Sequence, residues 1–394
     1  MQSKVYLFAL VLFFINPLLG ILSYCYFSWN LSMNRNNLQI LSWMLAVFLA
    51  FINGTKVPVS DLLDYKDAFL YAKDCDFIEY LLMSGKEPIY STFAYIAYYI
   101  FGGNWTFYVW GITLLYYLLI NNSIIKVGYR FNCSSSSIIV TLIVCSFFFQ
   151  IFVMTGHIVR QCLAEAFFIY YLVRRFVEKK SSWWVALLAV GIHSTVLPLV
   201  GISLLPQMKR SFNVREIIKS ICLIIILVLL FISFESVFSS IPFINYLYAR
   251  VKSDNLLLAD SWQVESGVSI LGIVLLIFMI YMIREIKSCM KQSEILNSLI
   301  NNCSFLIVML GSFIVLKADY LSMRYFFYVY SYLGVIIVIF LRQKKIYSLS
   351  ILKVLLVPLF IVYFLYNIES SVFVFEVSVG EILCQPLMLY VVNV

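Results

Sequence analysis

Apolar stretches close to the length of about 20 residues that crosses a bilayer's hydrocarbon core recur along the whole chain. They run Val5–Phe27, Leu38–Asn53, Trp105–Ile120, Ile138–Val153, Ile158–Phe176, Ile217–Phe238, Gly267–Ile283, Leu296–Leu316, Tyr325–Leu341 and Ile351–Ile368. No water-soluble domain of 394 residues tolerates this pattern, with 63% hydrophobic residues, 12% charged residues and a mean hydropathy of +0.95. In lipid, backbone N–H and C=O groups find no water, so spanning segments satisfy them internally as helices. The expected fold is an all-α polytopic integral membrane protein, a single transmembrane domain over residues 1–394 with about 10–12 transmembrane helices and one or two re-entrant segments. No small-residue cleavage site follows the first stretch, so it is expected to stay in the mature chain.

Lys and Arg concentrate in cytoplasmic loops, and here they cluster. Arg174–Lys180 and Lys209–Lys219 carry four cations each, and Arg284–Lys291 and Arg342–Lys345 carry three each, so these connections go inside with the weaker Lys126/Arg130 loop. The loop 54–88 has seven carboxylates against four Lys and goes outside. With it go the loop 241–265, the Lys317–Arg324 turn and the cation-free tail Ser370–Val394. Both flanks of Trp183–Leu205 are then cytoplasmic, yet its 23 residues are too few for two crossings. The segment 183–205 is expected to be a re-entrant hairpin with Gly191, His193 and Ser194 at its tip and Pro198 interrupting the second limb. Non-helical backbone at that depth needs a cavity or a protein wall beside it. By the same parity, Ile89–Phe101 reads as an outer interfacial or re-entrant helix ended by Gly102-Gly103. One ordinary span for 183–205, with a basic loop left outside, is the competing topology.

Several chemistries lack their signatures. The chain has no GxSxG, HExxH, Walker A or GxGxxG motif. Its nine cysteines show neither metal-ligand spacing nor a disulfide framework, and Cys75 and Cys384 are the two placed outside. The net charge of +8 is explained by short cytoplasmic loops and gives no sign of a nucleic-acid partner. What remains is a set of polar residues toward the outer half of the membrane: Asp61, Glu87, Arg160, Gln161, His193, Arg250, Lys252, Lys317, Asp319 and Arg324. Arg160 and Arg324 each open an inward-running span, where a helix N-terminus adds positive potential. That arrangement suits a polyanionic head group such as a diphosphate. An arginine that only snorkels toward lipid phosphates is the plain alternative. In the loop 54–88 and just after it, carboxylates interleave with Tyr65, Tyr71, Tyr80 and Tyr90. Aromatic faces stack on sugar rings and carboxylates accept hydrogen bonds from hydroxyls; carboxylates that only keep the loop soluble are the plain alternative for each acid other than Asp61.

The order of these residues resembles the EpsG family and the Wzy-type polymerases of O-antigen and exopolysaccharide. The resemblance rests on Asp61 and Tyr65 in the first outer loop, GKEPIY at Gly85–Tyr90, Arg160-Gln161 with Ala164 at a span start, His193-Ser194, and Arg324-Tyr325. It covers about residues 55–330. Relatives commonly place a Gly shortly before the loop Asp, whereas Val59-Ser60 stand here, and Asp64 leaves open which acid holds that role.

The resemblance implies a glycosyltransferase joining undecaprenyl-diphosphate-linked oligosaccharide repeat units at the periplasmic face of the bacterial inner membrane. Its partners are those saccharides, membrane lipids and a chain-length regulator protein. The lipid diphosphate supplies the activation, so no cofactor is expected, and no metal is required, although Asp61 with Asp64 suits one. The acceptor hydroxyl needs a base and the departing diphosphate needs cations. Asp61 and His193 are the catalytic candidates, with Asp61 preferred as base because it already lies on the outer side. Arg160, Gln161 and Arg324 are the diphosphate candidates, and Tyr65, Glu87 and Tyr325 the sugar and loop candidates. A transporter or flippase of the same lipid-linked units needs a similar cavity but is expected to show repeat symmetry, which the sequence lacks. A membrane acyltransferase would use an intramembrane His such as His193.

Overall fold

The computed structural model describes residues 2–29, 35–83, 87–211, 219, 270–315, 319–342 and 348–392. The loop 241–265, Ile217–Phe238 apart from residue 219, Gly85, Lys86, Arg250, Lys252 and Lys317 lie outside the described residues, as do residues 212–218 of the Lys209–Lys219 loop. Within them the chain is helical and contains no strand, only an isolated antiparallel bridge between Lys56 and Phe375. Four of these helices are long and apolar enough to cross a membrane, and a bent pair makes a fifth. The protein is an all-α polytopic membrane protein.

The first half of the chain forms α1 (Gln2–Ile15), α2 (Pro17–Trp29), α3 (Arg35–Gly54), α4 (Asp61–Leu70), α5 (Phe77–Met83), α6 (Pro88–Ile100), α7 (Trp105–Arg130), α8 (Ser135–Ser146), α9 (Phe149–Thr155), α10 (Val159–Leu172), α11 (Trp183–Ile192) and α12 (Leu197–Ser203). After the undescribed stretch come α13 (Ile270–Cys289), α14 (Glu294–Val315), α15 (Asp319–Phe340), α16 (Ser348–Ser370), α17 (Val379–Cys384) and α18 (Leu387–Val392). Two expected spans are divided. Val5–Phe27 breaks at Asn16, where Pro17 cannot continue the hydrogen-bond ladder, and Gly20 passes so close to the Phe13 backbone that a Cβ would overlap it. Ile138–Val153 bends by 57° between α8 and α9 at Phe147-Phe148.

Two units divide the described chain, residues 1–200 with 337–394 and residues 201–336. In the first, α3 and α7 pack antiparallel over a long interface, Gly54 at the end of one meeting Thr106 at the start of the other. Helix α10 packs against α7 and α11, and α8 against α7, α3 and α16. A buried polar knot fixes the turn before α10. Asn53 Nδ2 donates to Thr113 Oγ1 and Thr155 Oγ1, both at 2.9 Å, and Gly156 leaves the room that the Asn53 side chain fills. The C-terminal tail is clipped to the start of the loop 54–88 by Val57 N–H to Val374 O and Glu376 N–H to Thr55 O, each 2.9 Å. Beneath the clip, buried Lys56 donates to Val153 O at 2.8 Å and lies over the Phe373 ring. In the second unit, Asn301 on α14 ties down the 3-10 turn Pro206–Lys209, donating to Met208 O at 2.9 Å and Arg210 O at 2.7 Å.

Candidate active site

Helices α4, α6, α10 and α11 bring four sequence candidates to one place in the first unit. Pro88 occupies the first turn of α6, where its missing N–H costs nothing, and Glu87 is the N-cap residue. Its carboxylate does not cap the helix. One oxygen pairs with Arg160 Nη1, and the other lies 2.9 Å from His193 Nδ1 and 3.4 Å from both Ser194 N and Ser194 Oγ. Arg160, in the first turn of α10, also donates from Nε to Tyr65 Oη at 3.0 Å, with its guanidinium over the rings of Tyr65 and Tyr90. Tyr90 in turn accepts a 2.9 Å hydrogen bond from Tyr108.

Each local backbone serves this meeting. Tyr65 follows Asp61 by one turn of α4 and faces inward. His193 is extended (φ −152°, ψ 120°) and ends α11 ahead of a 3-10 turn over Ser194–Val196. A cation at a helix N-terminus opposes the macrodipole, so Arg160 needs the anion that Glu87 supplies. Arg160, His193 and Tyr65 are 8%, 6% and 7% exposed, which strengthens charge-assisted bonds by excluding water. Burial alone would raise the Glu87 carboxyl, but the His193 hydrogen bond and the Arg160 charge outweigh it and hold the group well below the usual carboxylate range. Facing an ionised carboxylate, His193 Nδ1 carries the proton, and a neutral ring then has its lone pair on Nε2. Arg160 Nη2 has no hydrogen-bond partner among the described residues.

The other candidates lie apart from this cluster. Asp61 opens α4 half-buried, and among the described residues it has no hydrogen-bond or ion-pair partner. Gln161 points down α10 and donates to the fully buried Glu165 at 2.8 Å. Arg324 and Tyr325 stand on α15 in the second unit, Arg324 half-buried and Tyr325 buried against Phe313 with ring centroids 5.0 Å apart. Glu165, Tyr108 and Ser194's contact with Glu87 were not assigned from sequence. A carboxylate inside an apolar span was the available signal for Glu165.

The sequence model of the EpsG family matches residues 39–378. The chain belongs to the EpsG family. No match was found among curated proteins or solved structures. The EpsG match takes in every member of the Arg160 cluster and stops before α17 and α18. Membership indicates a polysaccharide-polymerase-like role, acting on lipid-linked saccharides in a membrane.

Proposed function

We propose that this EpsG-family protein is a Wzy-type glycosyltransferase that joins undecaprenyl-diphosphate-linked repeat units at the periplasmic face of the bacterial inner membrane. The observation that supports it most is Glu87, which joins a buried arginine and a histidine drawn from separate helices. In the reaction, the acceptor hydroxyl oxygen bonds to the anomeric carbon of the donor glycan. The bond from that carbon to the diphosphate breaks, and the hydroxyl proton passes to the base. Arg160 is assigned to the diphosphate, because Nη2 remains for a phosphate oxygen after Tyr65 and Glu87 have taken Nε and Nη1. Arg324 keeps the diphosphate-binding role that its position at the start of an apolar span suggests. His193, oriented through Nδ1 by Glu87 in the manner of a carboxylate–histidine pair, takes the base role ahead of Asp61, which no neighbour orients. Tyr65 then positions Arg160, and Asp61 belongs to the acceptor side. The segment 183–205 is read as a hairpin that carries His193 to Glu87.

Purified protein with lipid-linked repeat units should give polymer ladders without an acyl donor. Arg160→Ala and Arg324→Ala should each lower ladder formation at least about tenfold, since a charge-assisted contact is worth more than a neutral one. Lys should restore part of the activity at one position or both. If both Ala variants express normally and make wild-type ladders, the diphosphate assignment is wrong. Asp61→Asn beside His193→Gln separates the two bases. His193→Gln should keep lipid-linked substrate binding and lose turnover, and the reverse pattern moves the base to Asp61.

A further inference from the structure

A cleft lined by none of the Arg160 cluster opens in the same unit. It is an open cleft of about 570 Å³ between the end of α3, the first turn of α7 and the C-terminal tail, lined by Gly54, Thr55, Thr106, Glu376, Gln385 and Tyr390 among others. Gly54 lets the walls close together, since a Cβ there would sit 3.1 Å from Thr106 Cγ2. The floor is buried Tyr390, whose ring packs on Phe51. Glu381, also in the lining, is committed to structure: its carboxylate accepts from Ser378 N at 2.7 Å and Ser378 Oγ at 2.8 Å to cap α17.

The side chains of Thr106, Glu376 and Gln385 differ from Glu381. Glu376 is exposed and Thr106 and Gln385 are half-buried, and among the described residues none of these side chains has a hydrogen-bond or ion-pair partner, so all three are available at one cleft. A hydroxyl, a carboxylate and an amide offer both donors and acceptors around one cleft. That is the chemistry that recognises a polyol. No Lys or Arg lines the cleft, so nothing there favours a phosphate. Lys56, next to the lining residue Thr55, lies over the Phe373 ring, and His157, three residues before Arg160, packs edge-on to the same ring. The EpsG match ends at residue 378, so Gln385 and Tyr390 lie outside the family's shared frame, where a choice of sugar can differ between members.

We infer that this cleft binds the saccharide of the acceptor repeat unit, an inference that rests on the polymerase reading. The probe is the glycan released by mild acid from the host's own lipid-linked repeat units, titrated calorimetrically into the full-length protein in detergent. Glu376→Gln combined with Gln385→Ala should bind it about tenfold more weakly, the loss expected when a charged hydrogen bond is removed. The acceptor KM should rise by a similar factor while kcat stays within about twofold, because the reacting groups are untouched. The thermal midpoint should not move, since neither side chain has a protein partner, and Thr106→Val gives an independent arm. Arg160→Ala should bind the glycan normally and lose turnover. Wild-type glycan affinity and acceptor KM in both cleft variants would overturn the inference and leave the polymerase reading intact. Glycan binding that depends on the cleft, in a protein that makes no polymer from lipid-linked units, would sink the polymerase reading and keep a saccharide site.

Discussion

Glu87 is the residue on which the site turns, because its two oxygens face different partners and its charge compensates a buried cation. Glu87→Gln keeps the shape and removes the charge. Polymer formation should fall at least about 100-fold, short of the roughly 10⁴-fold lost when a hydrolase triad loses its carboxylate; wild-type ladder rates would remove Glu87 from the mechanism. The pH dependence has a definite sign. A carboxyl depressed on folding contributes stability above its ordinary range and loses it only as pH falls through the depressed value. The wild type's margin over Glu87→Gln in thermal unfolding should therefore not shrink from about pH 8 to pH 5, where protonation of the adjacent His193 can only add to it. A margin that shrank toward pH 5 would show Glu87 titrating in the ordinary range. Tyr65, Glu87, Arg160 and His193 could each be picked out of the sequence as polar or aromatic residues in apolar company. That Glu87 joins Arg160 to His193 could not, because the partner of a charge depends on which helices meet.

Among the elements, the contact of α11 with α6 holds His193 against Glu87, and a glycine controls its closeness. A Cβ at Gly191 would overlap the Ile89 side chain, with Cγ1 at 2.6 Å, and Ile89 is two residues past Glu87. Gly191→Ala should thus push α6 away and cut polymerisation severalfold, while adding Ile89→Ala should recover most of it. Ladders unaffected by Gly191→Ala, or a double variant as poor as the single one, would mean that this contact does not position Glu87. The interruptions of the chain were unequally legible. Pro17 marks the α1–α2 break and Gly102-Gly103 the end of α6, both glycines at positive φ. The 57° bend between α8 and α9 falls at Phe147-Phe148, which carries no breaker residue. It arises from packing, Phe147 and Phe152 both meeting Phe364 of α16, and a local pattern cannot register a partner more than 200 positions away.

For the whole molecule the open quantity is sidedness, which rests on cation bias alone, whereas the helical character of the apolar stretches is seen in the fold. The tail and the start of the loop 54–88 share the bridge at Lys56 and Phe375, so they must face the same side. Val372, 89% exposed, is a good reporter for it. On a cysteine-free background, Val372→Cys should react with an impermeant maleimide in intact spheroplasts, and Lys180→Cys only after lysis. Labelling of Lys180→Cys in intact cells would reverse the orientation and remove the basis of the 183–205 hairpin. The bridge also sets an order of events. Thr55 and Val57 find their partners in Val374 and Glu376, over 300 residues later, which at ribosomal speeds of 5–20 residues per second is a wait of roughly 15–60 s. Until then the loop bearing Tyr65 lacks its clasp, so a nascent chain halted before α16 should hold its membrane helices and still be inactive.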